Sequence, residues 1–218
     1  MLDVLRTWLF PPACVSCDAL GPAVCAACAP SPRDAIAFTL DGVPAFALGQ
    51  YERALRTAIV AMKRGERDPL DVFARLLAER APLDLSAGAA GISAAGAGGV
   101  LVPLPTSRRR AAERGFDQSV EIARRLAARC GVACTEVLEK RGPAQESRGR
   151  RERLAAAGRF RLRREVALPA AAMLFDDVCT TGATLRDAIR VLGEAGVEVR
   201  RIIVLARTAE PNSAPTGR

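Results

Sequence analysis

The chain has 218 residues, half of them apolar, and a formal net charge of +8 at pH 7. This length allows one ordinary domain with a small appendage, and the apolar content predicts a packed core rather than disorder. The sequence contains no histidine, which excludes histidine-based catalytic triads and histidine-ligated metal sites. The positive charge favours anionic partners such as polyphosphates, nucleotides or nucleic acid.

The N-terminal stretch, up to Pro11 and Pro12, predicts a short amphipathic helix. It lacks the basic start and long apolar centre of a secretion signal. No apolar run in the sequence is long enough to cross a membrane, since residues 87–100 are mostly Ala and Gly. We therefore expect a cytoplasmic protein without membrane insertion.

Four cysteines form two Cys-x2-Cys pairs within a predicted N-terminal segment at 1–35: Cys14, Cys17, Cys25 and Cys28. Four thiolates complete the tetrahedral shell of a structural Zn²⁺, and such a closed site stabilises the fold rather than doing chemistry. A reducing cytoplasm argues against two disulfides. A redox pair and plain buried thiols are the alternatives. The scattered cysteines at 130, 134 and 179 are expected to be small buried residues.

Residues 36–85 predict a small α/β subdomain with a strand at 44–51 and helices at 52–63 and 70–80. Lys63-Arg64-Gly65 ends the first helix, where positive charge suits the helix dipole. Residues 86–99 are rich in Ala, Gly and Ser, which predicts a flexible loop before a larger domain at 100–208.

The larger domain opens with a predicted strand at 100–104, followed by a loop at 105–115, a helix at 117–129 and a strand at 132–138. The loop clusters four arginines at the carboxyl end of a strand, where open α/β sheets bind ligands. These are Arg108, Arg109, Arg110 and Arg114.

Residues 140–164 carry a local excess of positive charge. They contain ten Lys and Arg residues against two Glu, an excess equal to the net charge of the whole chain. So many like charges favour an anionic partner, and a solvated helical face is the alternative. Residues 209–218 predict a disordered tail.

The most informative stretch lies at 170–196. A short apolar strand at 170–175 is followed by Asp176 and Asp177, then by a small-residue turn and a helix that Gly196 stops. The turn is Thr180, Thr181, Gly182, Ala183 and Thr184. Backbone N–H groups at a helix N-terminus converge on one point and bind anions. Two carboxylates beside such a cradle suit ribose hydroxyls or a Mg²⁺ that phosphates share. The alternative is a plain strand–turn–helix whose Asp pair caps the helix.

This stretch closely resembles the phosphoribosyl pyrophosphate (PRPP) motif of type I phosphoribosyltransferases. The resemblance implies an α/β fold: a type I phosphoribosyltransferase-like parallel sheet with helices on both faces. It implies a catalytic role at the ribose hydroxyls for Asp176 and Asp177, and binding of the 5′-phosphate by Thr180 through Thr184. The pyrophosphate of Mg²⁺-PRPP would face Arg108, Arg109 and Arg114.

Several further features together resemble the ComF family, bacterial proteins with a zinc-ribbon head on a phosphoribosyltransferase domain. They are the cysteine pairs, the segment 51–65, a Val-Pro-Leu-Pro run before residues 114–118, and the closing run 205–208. Two departures bear on turnover. Asp117 stands where the family usually has Asn, and the mobile loop keeps only Gln145, Ser147, Arg148 and Arg153 of its usual pattern, with Ala155 near the Asn position.

Three functions are compatible with these patterns. The first is transfer of a phosphoribosyl group from PRPP, or binding of a nucleoside 5′-monophosphate, with Mg²⁺. The second, implied by the ComF resemblance, is an accessory role with single-stranded DNA and competence helicase-type proteins in natural transformation. Aromatic residues are only 4% of the chain, which argues against base-stacking platforms. The third is a PRPP or nucleotide sensor without turnover.

Overall fold

The fold is taken from a computed structural model of the chain, which describes residues 12–83, 100–140 and 158–209. The predicted N-terminal helix and the Ala/Gly loop at 86–99 lie outside the described residues. So do the tail beyond residue 209 and positions 141–157 of the basic segment.

Seven strands and five helices make up the described part. The strands are β1 (Ile36–Leu40), β2 (Val43–Gln50), β3 (Val100–Pro103), β4 (Leu138–Lys140), β5 (Phe160–Leu162), β6 (Ala171–Cys179) and β7 (Glu198–Arg207). The helices are α1 (Arg53–Lys63), α2 (Asp68–Arg80), α3 (Arg108–Arg114), α4 (Gln118–Cys130) and α5 (Ala183–Glu194). A 3₁₀ turn, Pro32–Asp34, precedes β1.

Five strands form the main sheet in the order β1-β2-β7-β6-β3. β2, β7, β6 and β3 run parallel, and β1 joins the edge as an antiparallel hairpin partner of β2. β4 and β5 form a separate antiparallel pair. The interior strand β6, which has a neighbour on each side, begins with five consecutive buried apolar residues. Continuous burial of this kind is expected of a parallel strand that is covered on both faces.

Alternate residues of the sheet enter two cores. Phe175 and Ile203 face a core with α1, α2 and α4, whereas Leu174 and Ile202 face a core with α5 and the β4–β5 pair. Helices therefore cover both faces of a mostly parallel sheet, and the predicted α/β class is confirmed.

Some predicted elements are wrong. The arginine-rich loop is in part the helix α3, and the predicted strand at 132–138 is reduced to a bridge from Cys134 to Leu101 and to Leu138, the first residue of β4. The short strands β1 and β5 were not predicted, because three to five residues give little periodicity to read. The motif strand does not end at Phe175 but continues through both aspartates to Cys179.

The predicted small subdomain shares the main sheet. Strand β2 pairs with β7 from Ala45↔Ile202 to Gln50↔Arg207, so residues distant in the chain form adjacent strands. The division into domains stays a prediction.

Candidate functional site

The aspartate pair lies at the carboxyl end of β6, beyond the end of the neighbouring strand β3. β6 pairs with β3 only as far as Phe175, whose carbonyl accepts the N–H of Leu104 at 2.8 Å, whereas its pairing with β7 continues to Cys179. Asp176 and Asp177 therefore stand beyond the end of one neighbouring strand. Parallel sheets bind ligands in a crevice outside the carboxyl ends of their strands.

Asp177 is held by three separate parts of the chain. Its Oδ2 lies 2.9 Å from Lys63 Nζ at the end of α1 and accepts from Gln118 Nε2 at 2.9 Å, while its Oδ1 accepts the N–H of Val178 at 2.8 Å. Burial acts to raise the pKa of Asp177, but Lys63 and Gln118 outweigh burial and hold the pKa below its usual value. Asp177 is therefore a carboxylate.

Asp176 has a different environment. Its Oδ1 accepts the N–H of Asp177 at 2.9 Å. Burial and the adjacent charge of Asp177 raise the pKa of Asp176 well above its usual value. The two acids, which the sequence could not tell apart, thus differ: the protein itself stabilises the charge of Asp177, whereas a cation or hydroxyl donors in the pocket would stabilise the charge of Asp176.

The Thr-Gly turn follows directly. Gly182 is the N-cap of α5 with φ +74°, and a Cβ there would lie 2.7 Å from Leu40 Cδ1, so both the left-handed backbone and the close approach of Leu40 favour glycine. The N–H of Ala183 donates to Thr181 Oγ1 at 3.4 Å. Arg186 donates to the carbonyl of Thr181 at 2.7 Å and to Asp41 Oδ1 at 3.0 Å, which ties the turn to the β1–β2 hairpin.

A pocket of about 380 Å³ brings five of the predicted site residues together: Arg114, Asp176, Asp177, Thr180 and Thr184. This volume is within the usual range of small-molecule sites, about 300–1,000 Å³. Thr181, Gly182 and Ala183 form the turn but are not among the lining residues. Arg110, a member of the predicted arginine cluster, also lines the pocket, and the lining residues that the sequence did not assign to the site include Tyr51, Lys63, Gln118, Lys140 and Arg159.

Two predicted arginines do not reach this pocket. Arg109 pairs with Glu113 at 2.7 Å, and Arg108, which is exposed, lies 3.3 Å from Glu139. The reason is the helix α3, in which positions four apart share a face. Arg110 and Arg114 line the pocket together, whereas Arg108 and Arg109 point elsewhere.

Local signals for the missed residues were weak. Lys63 was explained by the dipole of α1, but its ammonium also forms the ion pair with Asp177. In the sequence, Gln118 is only one residue of the run 114–118 that contributes to the resemblance to the ComF family. In the structure it accepts from Arg114 at 2.5 Å and donates to Asp177, and so it connects the two side chains. Lys140 ends β4, and burial lowers its pKa. Only tertiary structure brings these side chains to one place.

A larger cleft of about 1,000 Å³ adjoins the pocket and shares Pro105, Thr106 and Lys140 with it. Its arginines meet carboxylates: Arg161 lies 2.6 Å from Glu139 and Arg163 lies 2.9 Å from Glu136. The aspartate pair and the Thr-Gly turn line the smaller pocket, so we place the candidate active site there.

Asp117, which departs from the family pattern, has a structural role here. It caps α4 by accepting the N–H groups of Ser119 (3.1 Å) and Val120 (3.4 Å) at Oδ1, and its Oδ2 accepts the N–H of Thr106 at 2.7 Å. All three contacts need an acceptor, so the carboxylate suits this position without an amide donor.

The four N-terminal cysteines form a compact cluster. Their Sγ atoms all lie within 4.8 Å of one another, and sulfurs bound to one zinc at about 2.3 Å would lie about 3.8 Å apart. Burial acts to raise the pKa of the Cys14 thiol, but N–H donors including that of Cys25 lower it to about 6, whereas hydrogen bonding to Cys17 raises the pKa of Cys28 to about 12. Cys14 is thus the readiest thiolate, and a metal ion would have to displace the protons of the other thiols. The four residues fit a zinc ion. Ser16 fastens this segment to α1 through the carbonyl of Ala54 (3.0 Å).

Within the described ranges, no helix has the length and apolar character that a membrane span requires.

The mostly parallel sheet, the Asp-Asp–turn–helix unit at its carboxyl edge and the four-cysteine cluster define the class of protein. It is a type I phosphoribosyltransferase-like fold with a zinc-ribbon-like N-terminal segment, as predicted.

No protein-family model matches the chain. Over 107 residues the chain is 36% identical to the competence protein ComFC of Streptococcus pneumoniae (strain ATCC BAA-255 / R6), which confirms the predicted resemblance to the ComF family. The match covers 49% of this chain and 47% of the relative, so it spans about half of the relative's length.

Solved structures with a similar fold include two phosphoribosyltransferases. Orotate phosphoribosyltransferase from Aeropyrum pernix aligns with a TM-score of 0.41 and 17% identity, covering 82% of this chain and 78% of that one. An adenine phosphoribosyl transferase from Trypanosoma brucei aligns with a TM-score of 0.40 and 10% identity, covering 80% and 90%.

Zinc content tests the cysteine cluster. We expect about one Zn²⁺ per chain, because four thiolates close one tetrahedral shell. Cys14→Ser should lower both the zinc content and the melting temperature, measured by atomic absorption and thermal unfolding. Cys130→Ser, which lies outside the cluster, is the control and should keep its zinc. A Cys14→Ser protein with full zinc and unchanged stability would contradict the assignment.

The Lys63–Asp177 pair predicts a pH-dependent stability. Because the folded-state pKa of Asp177 is below its unfolded value, the pair stabilises the fold above the unfolded pKa, and this contribution is lost as the pH falls through the folded pKa. Lys63→Met should raise the pKa of Asp177 and lower the unfolding free energy at neutral pH by about 1–3 kcal/mol.

The measurement is urea unfolding at neutral pH and near pH 3, together with NMR titration of Asp177. The deficit of Lys63→Met should shrink at the lower pH, where Asp177 is increasingly protonated. Arg64→Met removes the charge of the next, exposed residue and is the matched control. An equal deficit at both pH values would show that the ion pair does not stabilise the fold.

Proposed function

We propose that this chain binds PRPP or a nucleoside 5′-monophosphate with Mg²⁺ and transfers the 5-phosphoribosyl group of PRPP to an acceptor. The observation that carries the proposal is the charge arrangement of the 380 Å³ pocket. The aspartate pair and threonines 180 and 184 line it together with several cationic side chains. Such a site suits a ligand with ribose hydroxyls and several phosphates.

The binding roles follow from the two sides of the pocket. The hydroxyls and backbone N–H groups of the Thr-Gly turn at the start of α5 would hold the 5′-phosphate. Asp176 would accept from a ribose hydroxyl, and Asp177 would keep the negative charge beside it. On the other side Arg110, Arg114 and Lys140 would hold the pyrophosphate, in place of the exposed Arg108 and Arg109.

In the transfer step, a lone pair of the acceptor forms a bond to ribose C1 as the bond from C1 to the pyrophosphate oxygen breaks. Pyrophosphate leaves with the bonding electron pair through an oxocarbenium-like state. The carboxylates stabilise the positive charge on the ribose, and the cations stabilise the leaving group. Bound Mg²⁺ would supply further positive charge to the phosphates.

Calorimetry with Mg²⁺-PRPP tests this function. Asp176→Asn together with Asp177→Asn should weaken binding by at least a hundredfold, because both anionic groups beside the ribose are lost. Circular dichroism should accompany the measurement, since Asp177 also joins three elements; the single Asp176→Asn variant separates the two effects. Glu66→Gln with Asp68→Asn removes two exposed carboxylates outside the pocket and is the charge-matched control.

Unchanged affinity in a folded double variant would refute the site. If Mg²⁺-PRPP binds, incubation with a panel of nucleobases and assay of released pyrophosphate separates transfer from sensing. Binding without any pyrophosphate release would favour a sensor of PRPP or nucleotides over a transferase.

A second candidate function is a role with single-stranded DNA in natural transformation, which could involve competence helicase-type partners. Two observations favour it: the similarity to a competence protein, and the arginines of the larger cleft beside the pocket, among them Arg161, Arg163 and Arg164. Arg150, Arg151 and Arg153, which the sequence also suggested for this role, lie outside the described residues.

The salt dependence of DNA binding tests this candidate. Each phosphate contact on a single strand contributes about −0.7 to the slope of log K against log salt. Arg163→Ala with Arg164→Ala should therefore flatten the slope by about 1.4 and weaken all sequences alike. Arg56→Ala with Arg75→Ala, exposed on α1 and α2, is the control. If the double variant keeps the wild-type slope, Arg163 and Arg164 of the larger cleft do not contact DNA phosphates.

A further inference from the structure

The start of strand β5 is fastened to helix α5 by one carboxylate. Asp187 Oδ2 accepts the N–H of Arg159 at 2.6 Å and the N–H of Phe160 at 2.9 Å. Its Oδ1 accepts from Arg190 at 2.8 Å. The side chain of Phe160 is fully buried on the other side, so the backbone at Arg159 is fixed from two directions.

The residue before Arg159 is shaped for this contact. Gly158 has φ +74°, a left-handed conformation that side chains other than glycine rarely adopt. A Cβ on Gly158 would clash with the end of the Arg190 side chain and lie 2.5 Å from Asp187 Oδ1, so a larger residue would disturb the carboxylate that holds this segment. The close approach of β5 to the first turns of α5 therefore depends on glycine.

This anchoring directs Arg159 toward the Thr-Gly turn. Its guanidinium donates from Nη1 to Thr184 Oγ1 at 3.2 Å, and both residues line the 380 Å³ pocket. The nearby arginines behave differently, because Arg161 and Arg163 each meet a glutamate. An arginine has five N–H donors, and the contact with Thr184 uses one of them. A bound anion at the turn could accept from the others.

We propose that Arg159 is a binding residue for the phosphate monoester of the ligand and that Asp187 is its positioning residue. The inference rests on the proposed function, since it concerns the 5′-phosphate end of the same pocket. It extends that function to a side chain that directly precedes β5, lies outside the PRPP motif and contacts Thr184 of the Thr-Gly turn. Arginine suits this task because its planar fork donates two parallel hydrogen bonds to a phosphate.

Calorimetry with two separate probes tests the proposal: ribose 5-phosphate, which carries only the monoester, and Mg²⁺-pyrophosphate, which lacks it. Arg159→Ala should weaken binding of ribose 5-phosphate about tenfold or more and leave pyrophosphate binding unchanged. Arg159→Lys, which keeps the charge but loses the fork, should fall between wild type and Arg159→Ala. Arg161→Ala removes the same charge two residues away and should bind as wild type.

The positioning role of Asp187 is tested by a double-variant cycle. Asp187→Ala should weaken binding of ribose 5-phosphate, and combining it with Arg159→Ala should weaken binding no further than Arg159→Ala alone, because both changes act on one guanidinium. Gly158→Ala, which displaces the same segment, should reproduce the loss if Asp187→Ala does not fold. If the effects of Asp187→Ala and Arg159→Ala are additive, Asp187 does not act through Arg159, and its role is to stabilise the fold.

The remaining outcomes separate this inference from the proposed function. If the wild type binds ribose 5-phosphate and Arg159→Ala binds it equally well, the inference fails and the proposed function stands. Equal losses in Arg159→Ala and Arg161→Ala would also overturn the inference, because general electrostatics would then explain both. A wild-type protein that binds neither probe would overturn the proposed function and this inference with it.

Discussion

The ion pair between Lys63 and Asp177 connects the parts of the candidate site. One carboxylate oxygen receives an ammonium from α1 and the amide of Gln118 from α4, while the strand β6 supplies the carboxylate itself. An unpaired carboxylate in this half-buried position would be costly, so α1 and α4 must approach β6 closely. Asp176 remains the acid whose charge is disfavoured, because burial and the charge of Asp177 outweigh the N–H of Asp177 and the more distant Lys63.

The sheet determines where a ligand can contact the charge of Asp176. Because β6 runs beyond the end of β3, the aspartates face open space instead of a neighbouring strand. Lys63 and Gln118 come from elements packed on one face of the sheet, whereas Lys140 ends β4 and Arg159 directly precedes β5, and the β4–β5 pair packs on the other face. The pocket therefore collects cations from both layers around an acidic strand end, an arrangement suited to an anionic ligand that carries its own cation.

The cysteine cluster is connected to the same framework. Ser16 bonds to the backbone of α1, the helix that ends at Lys63, and Val24 is buried in the core that α1, α2 and α4 share. A metal bound by the four cysteines would stabilise the segment that packs against α1. The cysteine cluster and the candidate active site both contact α1, so this helix connects two sites that suit chemically different ligands.

Local sequence determined the parts of this protein whose chemistry lies within one short stretch. The four cysteines, the buried strand followed by two aspartates, and the glycine turn before α5 each depend on neighbours a few positions away, and the sequence predicted them. The sequence did not predict that α3 is helical, and so it assigned Arg108, Arg109 and Arg114 to the site, whereas the structure brings Arg114 and Arg110 to the pocket. Gln118 is 59 positions from Asp177, and Lys63 lies on a helix of another part of the chain. Contacts of this kind follow from strand order and helix packing, because only the folded sheet brings such distant residues within hydrogen-bonding distance.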